Sequence, residues 1–247
     1  MSEALQIDNV TVTFGSFRAI NELSLYIDYG TVRAVIGPNG AGKTTLLDAI
    51  TGKSPITRGR IILDGRTELT TLKEPEIVLA GVGRKFQKPS IFEALTLEQN
   101  LALALRSANR SSMAEMFHRP GREELDRVQT VLETIGMGGW GERSAGILSH
   151  GQKQWLEIGM LLMQEPRVLL LDEPVAGMSD EETDRTAELI MALRAPERAI
   201  VVIEHDMGFV ERIADRVTVL HEGQLLVEGR MDAVKADPRV VEVYLGR

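Results

Sequence analysis

One stretch, GPNGAGKT at Gly37–Thr44, constrains this 247-residue chain more than any other. It meets the pattern G-x-x-x-x-G-K-[ST] in full. The apolar run VRAVIG precedes it, as for a strand buried on both faces. KTTLLDAITG follows, with helical spacing and a closing glycine. Glycines let the backbone turn its N–H groups inward around phosphate oxygens, and the helix that follows points its positive end at them. The loop Gly37, Pro38, Asn39, Gly40, Ala41, Gly42, Lys43 and Thr44, with Thr45 beside it, is therefore expected to cradle a nucleotide's phosphates. Lys43 is expected to reach the β- and γ-phosphates, and the Thr44 hydroxyl to ligate Mg²⁺. A glycine-rich turn joining strand to helix is the plain alternative.

Around this loop the patterning changes character along the chain. LQIDNVTVTF and LSLYID alternate apolar and polar residues, as a half-buried antiparallel sheet does. RGRIILDG reads as a further strand and turn. From about 88 to 165 helical spacing prevails, in TLEQNLALAL, EELDRVQTVLETIG and GQKQWLEIGMLLMQ. Residues 106–121, polar and closing on Pro-Gly, read as an exposed loop. Buried-strand character returns in RVLLLDE, AIVVIEH and RVTVLHEG, with the helical DEETDRTAELIMALR between the first two. The expected organisation is a single α/β domain over 1–247. Its β-rich start and core take 1–87 and 166–247, and a helical subdomain is inserted at 88–165.

VLLLDEP, Val168–Pro174, ends an apolar strand in two carboxylates. That places the acids at the carboxyl edge of a sheet, where open α/β folds bind ligands. Asp172 is the expected Mg²⁺ residue, acting mainly through water, and Glu173 the candidate general base for an attacking water. In VIEHD, His205 again follows a buried strand, and if that strand adjoins the one ending at Asp172, His205 can sense a γ-phosphate. LSHGQ, residues 148–152, reads as an N-cap serine and the first turn of an amphipathic helix. Such an open end is also an anion site. Since the chain's own phosphates sit at Gly37–Thr44, the anion at this helix is expected from another nucleotide-binding subunit.

These motifs, in this order and spacing, resemble the ATP-binding subunits of ABC transporters, and the likeness covers nearly the whole chain. It implies a P-loop ATPase core with an N-terminal antiparallel β subdomain and an inserted helical subdomain. It also implies a dimer in which each signature helix covers its partner's ATP. Ser149 and Gly151 would then donate to the partner's γ-phosphate with Gln152 close by, Glu173 would be the catalytic base and His205 the switch histidine. Gln87 matches the glutamine that approaches Mg²⁺ and the attacking water beside the membrane-subunit contact, and Phe14 matches the adenine-stacking aromatic, with Phe17 the alternative. Two positions depart from the pattern. His150 replaces the signature's usual first glycine, and Ser179 stands where most relatives carry aspartate.

Within the family, EPVAGMSDEE, the loop in the helical lobe and PRVVEVYLGR look like the ATPases of branched-chain amino-acid and urea importers. The wording LSHGQKQWLEIGMLLMQEP looks closest to the urea type. The expected partners are integral membrane permeases, a second ATPase subunit and, indirectly, a solute-binding protein. The expected place is peripheral, on the cytoplasmic face of the cell membrane. Net charge of −8 disfavours nucleic acid, absent cysteines exclude disulfides and thiolate metal sites, and the start lacks the basic and apolar regions of a signal peptide. A soluble ATPase of cluster assembly is the nearest rival. A P-loop kinase or GTPase would leave the LSHGQ stretch unexplained, and no guanine-reading N-K-x-D is present.

Overall fold

The computed structural model describes residues 3–85, 91–105 and 121–245. Gln87 and nearly all of the expected 106–121 loop lie outside them. The chain divides into two compact units, one of Met1–Arg84, Arg167–Pro174 and Leu193–Arg247, the other of Lys85–Pro166 and Val175–Ala192.

In the first unit, β1 (Glu3–Phe14), β2 (Phe17–Asp28), β4 (Arg58–Leu63) and β5 (Thr67–Glu68) form an antiparallel sheet in the order β2-β1-β4-β5. Its apolar positions, among them Leu5, Ile7, Leu23, Leu25 and Ile61, are buried on one face. The second sheet takes β3 (Val32–Ile36), β6 (Val82–Lys85), β7 (Val168–Asp172), β8 (Ala199–Ile203), β9 (Arg216–His221) and β10 (Gln224–Gly229) in the order β10-β9-β3-β8-β7-β6. Strands β3, β7, β8 and β9 pair in parallel, and every residue of β3, β7 and β8 is buried. Both faces are covered, so these strands read as continuous apolar runs. Alternation sorts them. Val35, Leu170, Val201 and Leu220 join the cluster shared with α1 (Lys43–Ile50) and the antiparallel sheet. Ala34, Ile36, Val217 and Val219 face the other way, onto α7 (Met207–Ile213), α8 (Met231–Ala236) and α9 (Pro238–Leu245). Each fully buried aliphatic side chain contributes about 1.5–3 kcal/mol to holding these layers. The short helix α2 (Glu74–Leu79) completes the unit's described helices.

The second unit is built from α3 (Leu97–Leu103), α4 (Arg122–Thr134), α5 (His150–Leu162) and α6 (Asp180–Ala192). Gly159 lets α3, α4 and α5 pack closely, since a Cβ there would lie 3.0 Å from Ile135, 3.2 Å from Leu101 and 3.2 Å from Val131. Buried Trp155 donates from Nε1 to Thr186 Oγ1 at 2.8 Å, tying α5 to α6.

Candidate functional site

The phosphate loop leaves β3 at Ile36 and enters α1 at Lys43. Two of its glycines are required by what surrounds them. A Cβ on Gly37 would sit 2.2 Å from the Leu220 carbonyl, and one on Gly42 2.5 Å from the Ala19 carbonyl. Gly42 also holds φ at 98°, a region that side chains disfavour. It is the N-cap of α1, and among the described residues no side-chain hydrogen bond caps that helix. The first-turn N–H groups are thus left for an anion. Lys43 folds over the loop, donating from Nζ to the carbonyls of Gly37 at 2.7 Å and Pro38 at 3.0 Å. Burial pulls its pKa down, and the carboxylates of Glu173 and Asp172 push it back up. Asn39, Gly40 and Thr44 are exposed, Pro38 and Thr45 half-buried, and Ala41 is buried where its carbonyl accepts from Gly223 N–H at 3.1 Å.

Asp172 ends β7 and is 1% exposed. Its Oδ2 accepts from Arg84 Nη2 at 2.9 Å, and Arg84 Nη1 reaches Asp48 Oδ1 at 2.5 Å. Among the described residues the Oδ1 of Asp172 is buried without a hydrogen-bond partner. Burial raises its pKa, the Arg84 guanidinium opposes that, and Glu173 and Asp48 add to the rise. An orphaned buried carboxylate oxygen costs about 1–3 kcal/mol unless water or a cation meets it. No cluster of three or more His, Cys, Asp or Glu able to hold a metal occurs among the described residues. The donors at hand, Asp172 and the Thr44 hydroxyl, are hard oxygens, and they fit a cation that takes most of its shell from phosphate and water, as Mg²⁺ does.

Strands β7 and β8 are parallel neighbours with Asp172 opposite Ile203, so Glu173 and His205 follow adjacent strand ends. The neighbouring-strand condition for His205 is therefore met. Glu173 holds φ at 48° and donates its N–H to the Ile203 carbonyl at 3.0 Å. A non-glycine residue in that region costs about 1–3 kcal/mol and persists where its surroundings enforce it. The His205 side chain is 69% exposed, with Nδ1 3.6 Å from Oε2 of buried Glu204. Phe14 and Phe17 face each other across the β1–β2 turn, 52% and 61% exposed, and nothing in that geometry selects one over the other for stacking.

In the helical unit, Ser149 is the N-cap of α5. Its Oγ accepts from Gln152 N–H at 3.2 Å, and Gln152 Oε1 accepts from Ser149 N–H at 2.9 Å. Gly151 is buried in the first turn. His150 makes contacts of its own, with Nε2 3.2 Å from the Ala176 carbonyl and 2.8 Å from Gln154 Nε2. The Ser149 hydroxyl donates to Glu182 Oε1 at 2.9 Å. Sequence reading missed Glu182, Arg84 and Glu204. For Glu182 a signal existed in S-x-x-E, Ser179–Glu182, a capping-box pattern at a helix start.

The profile that describes ABC transporters matches residues 20–176. This chain belongs to the ABC transporter family. It is an ATP-binding cassette ATPase, and a second profile, for branched-chain amino acid ATP-binding cassette transporters, matches residues 224–247 of the cassette. BraF of Pseudomonas aeruginosa, a high-affinity branched-chain amino acid transport ATP-binding protein, is 37% identical over 249 residues, 98% of this cassette and 97% of its own length. The protein named likewise as LivG in Escherichia coli K12 is 35% identical over 249 residues, with the same shares, 98% and 97%. A solved ATP-binding cassette of an ABC transporter in its ADP conformation superposes with a TM-score of 0.89 at 30% identity, covering 100% of both chains. The α/β cassette fold expected from the motifs is the fold observed.

Proposed function

We propose that this cassette hydrolyses ATP to drive import of branched-chain amino acids through partner permeases. The observation that carries the reading is likeness along the whole chain to cassettes named for that transport, together with the separate match of residues 224–247. The urea reading rested on the wording around LSHGQ. These relatives carry the name of the other solute class, so urea gives way to the alternative.

ATP binds at Gly37–Thr44, its adenine against Phe14 or Phe17, with the open end of α1 receiving the phosphates. Thr44 and Asp172, with Gln87 by family resemblance, would hold Mg²⁺, which supplies positive charge beside the β- and γ-phosphate oxygens when bound. Lys43 leaves the carbonyls of Gly37 and Pro38 for those oxygens, exchanging neutral acceptors for charged ones. Glu173 orients or deprotonates the attacking water, and His205 holds the γ-phosphate from the next strand end. Ser149 and Gly151 of a second copy close over the site and exclude water. Among the described residues no helix is long and apolar enough to cross a membrane. By its family resemblance the cassette works peripherally, on the cytoplasmic face, through its permeases.

Glu173→Gln tests the chemistry. ATP binding and closure should persist while turnover falls at least about a hundredfold, the usual scale for a lost general base. Turnover at the parental rate would remove Glu173 from the mechanism. Reconstitution with the permeases, with uptake of leucine compared with urea, tests the solute. Failure to associate with any membrane subunit would favour a soluble ATPase.

A further inference from the structure

In the helical unit two helix starts are joined by one carboxylate. Helix α6 begins with a capping box: Ser179 N–H donates to Glu182 Oε2 at 3.1 Å, and Glu182 N–H donates back to Ser179 Oγ at 3.3 Å. A capping box needs only one carboxylate oxygen. The other, Oε1, accepts the Ser149 hydroxyl at 2.9 Å. The same carboxylate lies over the first turn of α5, where a Cβ on Gly151 would meet Glu182 Oε1 at 2.6 Å and Cδ at 2.7 Å. A resident anion thus occupies the positive end of the helix that carries the signature.

A hydroxyl has one proton to give. Donated to Glu182, it is not donated to a phosphate, and a carboxylate beside that hydroxyl repels an incoming anion. The departure at position 179 fits this arrangement. An aspartate there would set a second negative charge against Glu182, whereas Ser179 Oγ lies 3.3 Å from Glu182 Oε2 and can donate to it. The Ser179 N–H and then the Ser149 hydroxyl hold the Glu182 carboxyl below its usual range, consistent with a charged group at neutral pH.

Resting on the reading that α5 covers a second copy's ATP, we propose that Glu182 is a positioning residue that competes with the partner's γ-phosphate for the Ser149 hydroxyl. Capture of the phosphate displaces the carboxylate, and the displaced carboxylate loosens its hold on Ser179. Nucleotide arrival at one helix start is thereby linked to the loop before the next, and the linkage is reciprocal.

The test uses the full-length Glu173→Gln chain titrated with ATP and Mg²⁺, with dimer closure followed by light scattering. Adding Glu182→Gln removes the charge, while glutamine still serves the capping box at that position. The ATP concentration for half-maximal closure should fall roughly fivefold, the scale of one like charge removed beside an incoming anion. Glu182→Asp keeps the charge but withdraws it by one methylene, so its threshold should lie between those of Gln and the parent. An unchanged threshold in a Gln variant that still melts in one cooperative transition overturns the inference and leaves Glu182 as a cap of α6. So does a raised threshold, which would make Glu182 an aid to closure. A Glu173→Gln parent that stays monomeric with ATP overturns the shared-site reading itself, and with it the inference. A closing parent with a flat Glu182 response overturns the inference only.

Discussion

The starts of α1 and α5 solve the same problem in opposite ways. At α1 the N-cap is Gly42, in a left-handed conformation, with no side-chain cap hydrogen bond among the described residues. At α5 the N-cap is Ser149, in an extended conformation, with a reciprocal capping box to Gln152 and its hydroxyl given to Glu182. The first is an unfilled donor array enforced by close backbone packing. The second is already satisfied, so an anion there must exchange for bonds the chain makes internally. An open end favours tight, standing affinity, and a filled end favours a response that depends on the incoming group.

Exchanging the two caps should break this contrast unequally. Gly42→Ser would force a side chain into φ 98° and against the Ala19 carbonyl. Strain and overpacking each cost about 1–3 kcal/mol, so the melting temperature should drop and nucleotide affinity should fall by more than about tenfold. Retained affinity in a calorimetric titration would show that the open end is not what holds phosphate. Ser149→Gly is the milder exchange. Glycine is a tolerated N-cap, so stability should change by only a few tenths of a kcal/mol, roughly. ATP binding to one chain should survive, while ATP-driven closure of the Glu173→Gln chain weakens. Loss of single-chain binding would contradict the division of labour.

The smallest effect concerns pH. The folded Glu182 carboxyl titrates below its unfolded value, held first by the Ser179 N–H and then by the Ser149 hydroxyl. Its contribution is present in full above the ordinary glutamate value of about 4.3 and is lost as pH falls through the folded value. Guanidinium midpoints of the parent and of Glu182→Gln should therefore converge in acid and separate toward neutrality, with the parent higher. Parallel curves across that range would deny Glu182 a charged role at either cap.

Much of this is legible in residue order alone. Gly37–Thr44 declares itself because its glycines, lysine and threonine fall in register between an apolar run and a helical one. VLLLDE and AIVVIE read as doubly covered strands, and the structure buries every residue of β7 and β8. The Ser149 N-cap was readable from type and position, since capping is local. Other features were not readable. The partner of Ser149 is 33 residues away in sequence, and no periodicity reports a contact of that span. Asp172 was visible as a strand-end acid, but its pairing with Arg84 depends on where β6 lies in the sheet. The grouping of Val175–Ala192 with the helical unit likewise has no spacing to announce it.

Chain-local chemistry therefore came from residue order: where the backbone must turn, which runs must be covered, and which side chains can reach a phosphate. Those outcomes depend on neighbours within a few positions, and short-range sterics and hydrogen bonding decide them. Whether a donor is free or engaged depends on segments brought together by folding, through strand register and helix packing. Gly42 stays open because the Ala19 carbonyl leaves no room for a side chain, and Ser149 is occupied because the first turn of α6 brings Glu182 against it.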